Sequence, residues 1–114
     1  MSRSSELKFT IHLDAKKFPV KIEWEATDAD FEGKRECDAL MVSLWDKAEK
    51  NTMGIDLWTT EMLIFDMNVH VFQTLMKMAD TYLKATNNLK VANMITDFAR
   101  QFAHKTQVLS DEGG

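Results

Sequence analysis

The chain has 114 residues, 45% of them hydrophobic and 28% charged, a globular balance long enough to hold a core without metal or disulfide support. Its net charge is −4, with Asp111 and Glu112 contributing near the end and no Lys/Arg cluster, which argues against nucleic acid or an anionic membrane surface as partner. The single cysteine, Cys37, excludes an internal disulfide and a cysteine metal cage, and a lone thiol suits a reducing compartment.

No apolar run approaches the roughly 18 residues a transmembrane helix needs. Met1 to Ser5 lead straight into an alternating segment rather than a signal peptide, so the expected location is the cytoplasm.

From Glu6 to Leu13, Leu7, Phe9, Ile11 and Leu13 alternate with Glu6, Lys8, Thr10 and His12, the pattern of a half-buried strand. Asp14 to Lys17 is a polar turn, and Pro19 suits its exit or an edge strand because it lacks a backbone donor. Val20, Ile22 and Trp24 then alternate with Lys21, Glu23 and Glu25, so the two strands should form an antiparallel hairpin. Residues 26–36 are acidic, contain Gly33 and show no period, which reads as a loop.

The stretch from Ala39 to Thr59 predicts a second hairpin around a polar turn. Its first strand, about Asp38 to Asp46, puts Leu40, Val42 and Leu44 on one face and Met41, Ser43 and Trp45 on the other. Its second, about Met53 to Trp58, divides Ile55 and Leu57 from Asp56 and Trp58. Both strands are apolar on two faces, which a strand wet on one side does not need.

Two helices follow. Phe72, Leu75, Met76, Ala79, Tyr82 and Leu83 keep helical spacing in a segment predicted to begin near Asp66, acting as a cap, and to end near Thr86. Asn87-Asn88 is the break, with an Asn placed to cap the second helix. There Val91, Ala92, Ile95, Phe98, Ala99, Phe102 and Ala103 form the stripe, and His104 and Lys105 suit its negative end.

Strands first and helices last predict an α+β domain over residues 1–105, with 106–114 a flexible tail. The expected architecture is a four-stranded antiparallel sheet of two hairpins followed by two antiparallel helices packed on one face. The Met41, Trp45 and Trp58 surface must then be covered by the loop at 26–36, by Leu63 to Phe65, or by another chain.

Chemistry is sparse. His12, His70 and His104 are scattered, and no HxxH, HExxH, CxxC, GxSxG or Gly-rich phosphate loop occurs. Cys37 needs a histidine brought close in space to act as a nucleophile and reads better as an inert thiol. The carboxylate pairs Glu23/Glu25 and Asp46/Asp56 read as charged strand positions rather than an acid/base couple. No catalytic, cofactor-binding or metal-binding set emerges, so no enzyme activity and no cofactor are expected.

The apolar surplus remains. Eight methionines can fill a core or form an adaptable binding surface. The tryptophans likewise read two ways, as core residues or as interface anchors, and Trp45 and Trp58 are placed to pair across adjacent strands. Met41, Trp45 and Trp58 form the candidate interface, for a protein partner or for self-association as a homodimer.

Ser43-Leu44-Trp45-Asp46, Ile55-Asp56-Leu57-Trp58-Thr59, Gln73-Thr74-Leu75, Met78-Ala79-Asp80-Thr81 and Ala85-Thr86-Asn87 together resemble the gliding motility-associated GldC family, over Glu6 to about Lys105. That family's pattern leads one to expect a proline shortly after Met62, where this chain has Leu63-Ile64-Phe65. The resemblance implies a small, soluble, cytoplasmic accessory protein of gliding motility, without enzymatic activity and with no catalytic residue to carry over.

Two other readings stand beside an interaction protein. Four strands then two helices is similar in element order to the SecB export chaperone, which suggests a holdase. A small-molecule pocket near Trp24, Phe72 and Tyr82, with Cys37 or His70 supplying a polar group, is the third.

Overall fold

A computed structural model describes residues Arg3 to Ser110; the final residues of the expected tail, 111–114, lie outside the described residues. In chain order the elements are β1 (Leu7–Leu13), β2 (Pro19–Ala26), β3 (Arg35–Cys37), β4 (Ala39–Trp45), β5 (Thr52–Trp58), α1 (Ile64–Thr86) and α2 (Leu89–Lys105). They divide into two compact units, one ending at Met62 and the other beginning at Leu63.

The α+β class and the antiparallel hairpins are as expected, but the single four-stranded sheet is not. The strand unit holds two sheets, β1-β2-β3 and β4-β5. The first sheet gains its third strand from Arg35–Cys37, the first two residues of which fall in the stretch expected to be loop, and this strand pairs with Ile22 to Trp24. A strand of three residues with two charges is too short to show a period of two, so nothing in its composition announces it.

β1 and β2 pair with Phe9 opposite Trp24 and Ile11 opposite Ile22, which gathers the predicted apolar face. Ile22 is fully buried, in a row between Ile11 and Cys37. The loop after β2 folds Phe31 against this sheet. Its ring meets Trp24 edge-on at 5.0 Å, and the Arg35 guanidinium lies 4.9 Å from the same ring. The loop therefore serves the first sheet.

Both hairpin turns use one device. The Asp14 carboxylate accepts from the backbone N–H of Lys16 and Phe18, and the Asp46 carboxylate from that of Glu49. A lysine near the end of each turn, Lys17 or Lys50, takes the left-handed conformation (φ 67° and 57°). An Asx-type turn tolerates this more readily than a strand interior would.

In the helical unit α1 starts at Ile64, two residues before the expected Asp66. Leu63 is its N-cap and gives no side-chain hydrogen bond. Asp66 lies instead within the first turn, where its charge meets the positive end of the helix dipole. The helix ends at Thr86 as expected. Asn87 adopts φ 56° and returns its N–H to the Leu83 carbonyl at 2.7 Å, a left-handed stop. Asn88 caps α2 by accepting from the Val91 N–H at 3.1 Å.

α1 and α2 pack together. Their fully buried side chains are alanines: Ala79, Ala92, Ala99 and Ala103. With equal rise on either side of a two-residue link, Leu83 stands level with Ala92, Met76 with Ala99 and Phe72 with Ala103. Beyond α2, the N–H groups of Val108 and Leu109 both return to the Ala103 carbonyl.

Candidate protein-interaction face

The register of β4 with β5 runs from Ala39↔Trp58 through Met41↔Asp56 and Ser43↔Gly54 to Trp45↔Thr52. Residues opposite one another share a face of an antiparallel pair. One side of the ribbon therefore carries Ala39, Met41, Ser43 and Trp45 with Thr52, Gly54, Asp56 and Trp58. The other carries Leu40, Val42 and Leu44 with Met53, Ile55 and Leu57.

Trp45 is 65% exposed, Trp58 59% and Met41 40%, so the tryptophans are surface residues rather than core. They also do not pair. Trp58 lies opposite Ala39 and Trp45 opposite Thr52, six residues apart along β4, or roughly 20 Å at the rise of a strand. The turn anchored by Asp46, not side-chain affinity, decides this register. Asp56, between the two indoles, is the one charged group on the face.

The aliphatic side is open too, with Leu44, Met53 and Ile55 each more than half exposed. Alternation predicted the two faces but carried no information about their exposure.

The C-terminal end of β5 is firmly held. Thr59, buried to 1% exposure, donates its N–H to the Asp38 carbonyl (2.8 Å) and its hydroxyl to the Asp38 carboxylate (3.1 Å). The Thr60 N–H reaches the Pro19 carbonyl at 3.2 Å. An open groove of about 340 Å³, lined by Phe18, Pro19 and residues 56–60, runs beside Trp58. In the helical unit a shallower hollow of about 870 Å³ is lined by Phe98, Gln101, Phe102 and the turn after them.

The remaining candidates stay apart. The His12 imidazole and the Glu23 carboxylate meet at 2.7 Å on the polar face of the first sheet, and that hydrogen bond holds the Glu23 carboxyl below its usual range. Glu25 lies opposite Lys8 in the register, while Glu23 bonds His12. Asp46 organises its turn while Asp56 lies on the tryptophan face, so these two are not a couple either.

Cys37 is half-buried, and burial raises its pKa, which disfavours the reactive thiolate. His70 lies on α1 with its Nε2 buried and without a hydrogen-bond partner among the described residues. His104 lies in the last turn of α2. Trp24 belongs to the strand unit and Phe72 and Tyr82 to α1. Among the described residues no group of His, Cys, Asp and Glu could hold a metal ion, and no helix is long and apolar enough to cross a membrane.

These features define an α+β protein whose two-stranded ribbon displays apolar side chains on both faces. The chain belongs to the GldC-like family: the family model described as gliding motility-associated protein GldC-like matches residues 19–108. No curated protein and no solved structure matches it.

Proposed function

We propose that this chain is a non-catalytic, cytoplasmic accessory protein of bacterial gliding motility that works by presenting Met41, Trp45 and Trp58 to a protein partner. Membership of the family supports the association with motility. The observation that carries the binding reading is the pair of indoles, each about three-fifths exposed on a strand pair whose register is held at both ends. At about 250 Å² for a whole tryptophan, each offers on the order of 150 Å², which gives a gross of about 4 kcal/mol on full burial. Tryptophan anchors of this kind dominate interface energetics.

The test is replacement of Trp45 and Trp58 by Glu in a gliding host that depends on this chain. Gliding should be lost while the protein's level and circular dichroism stay unchanged. Normal gliding by the double variant would overturn the reading.

The open aliphatic side favours a second reading, a holdase that shelters extended apolar segments of other chains. Suppression of a model client's aggregation, lost on Ile55→Lys, would support it. No suppression at several-fold excess would remove it.

A further inference from the structure

We infer that β5 is a self-pairing edge, joining two copies of the chain antiparallel into one sheet of order β4-β5-β5′-β4′. The pairing goes beyond the motility reading and rests on different observations, the backbone direction and side-chain order of one strand.

Two hydrogen bonds fix the direction. Thr59 N–H to Asp38 carbonyl and Asp46 N–H to Asn51 carbonyl, each 2.8 Å, frame the hairpin. Carried through the register, they make Leu40–Leu57, Val42–Ile55 and Leu44–Met53 the bonded pairs. The N–H and C=O groups of Thr52, Gly54, Asp56 and Trp58 therefore point outward, and no described strand forms a ladder with them; β2 reaches that side only past the end of β5, where the Pro19 carbonyl accepts from the Thr60 N–H.

Natural sheets guard such an edge with proline, lysine, a bulge or a short strand. β5, with the sequence TMGIDLW, is seven residues long with none of these, and its one charge is Asp56. The other long edges differ. β1 carries Lys8 and His12 and its register slips between His12 and Leu13. β4 is the other edge of the ribbon, and it follows directly, after Asp38, on β3, which is itself paired with β2. Thr27 N–H bonds the Glu6 carbonyl, so Ile22 and Trp24 turn their backbone groups toward Cys37 and Arg35, whose parity the outward groups of β4 share.

The occupant is a second copy because the strand complements itself. About a two-fold axis at Ile55, Gly54 faces Asp56′, Thr52 faces Trp58′ and Met53 faces Leu57′. Each bulky or charged group meets a small one or an apolar one. A two-residue shift one way sets Asp56 against Asp56′, a like-charge pair. A shift the other way leaves Trp58 outside the ladder.

The pairing also answers a deficit, since a two-stranded ribbon is marginal alone and three or more strands are not. It brings Trp45′ into one row with Trp58, with Thr52′ between them. Their strands are then about 10 Å apart, so the dimer assembles tryptophan pairs that one chain keeps far apart.

The test is cysteine scanning of the full chain on a Cys37→Ser background, with sedimentation of the wild type. Ile55 faces its own copy at a non-bonded position, where the Cα separation of about 4.5 Å suits a disulfide. Ile55→Cys should form a covalent dimer under mild oxidation, Leu44→Cys should not, and the wild type should sediment at twice 13.1 kDa. Ile55→Lys and Ile55→Glu should each sediment as monomers and recover the dimer on mixing, a rescue that misfolded variants would not show. A wild-type monomer, a dimer that Ile55→Cys crosslinks no faster than Leu44→Cys, or failure of the mixture to recover the dimer would each overturn the assignment.

Discussion

Trp45→Ala separates a displayed tryptophan from a core one. A buried tryptophan cut back to alanine loses about 3–5 kcal/mol of stability. Trp45 keeps 65% of its surface in solvent, so only about a third of its roughly 250 Å² is in contact with the fold. That contact, near 90 Å², is worth about 2 kcal/mol at 25 cal/mol per Å². The figure is an upper bound, because an unfolded chain already covers part of the side chain. Ile22→Ala is the internal comparison: the side chain is fully buried between Ile11 and Cys37, and its loss should cost about 2–5 kcal/mol. Urea titration followed by circular dichroism, at a protein concentration low enough to keep the chain monomeric, gives both shifts. A Trp45→Ala loss equal to or larger than that of Ile22→Ala would mean that the indole is covered in solution, and the case for a free tryptophan face would fail.

Three further outcomes follow from single contacts. The Glu23 carboxyl is held below its ordinary value by His12, so its contribution to stability is complete above the usual carboxylate range and fades as pH falls through the lowered value. Glu23→Gln should flatten the acid limb of a plot of urea midpoint against pH and leave the neutral limb's slope unchanged. Asn88→Ala removes the cap on Val91 and should lower stability by about 1 kcal/mol, seen as a lower melting temperature of the helical signal, while Asn88→Asp should not. Thr59→Val leaves the Asp38 carboxylate without its hydroxyl donor and should cost about 1–3 kcal/mol in the same titration.

Where local pattern and long-range contact agree, the sequence was easy to read. Phe9, Ile11, Ile22 and Trp24 alternate onto one face and the register gathers them as predicted, although of the four only Ile22 is fully buried and Phe9 stays 40% exposed. Asn88 is a cap in sequence and in structure because capping needs only the three residues that follow. β3 escaped notice because its pairing depends on Ile22 to Trp24, a dozen residues back, and not on its own composition. The start of α1 at Ile64 escaped because Leu63 has no capping side chain to mark it. The faces of Trp45 and Trp58 were legible; their separation and exposure were not. Separation is a matter of register, and exposure depends on what else covers the ribbon.

The alanine seam between α1 and α2 makes the helical hairpin asymmetric toward change. On α2, a substitution at Ala92, Ala99 or Ala103 can hardly go upward in size, because each is buried in a hairpin whose helices pack together. Such overpacking costs about 1–3 kcal/mol a site. On α1 the half-buried Phe72, Met76 and Leu83 can each exchange one large apolar group for another of similar volume at less than about 1.5 kcal/mol. As the chain drifts over generations, its first helix is therefore free to reshuffle its large side chains, while the second stays small at those three places.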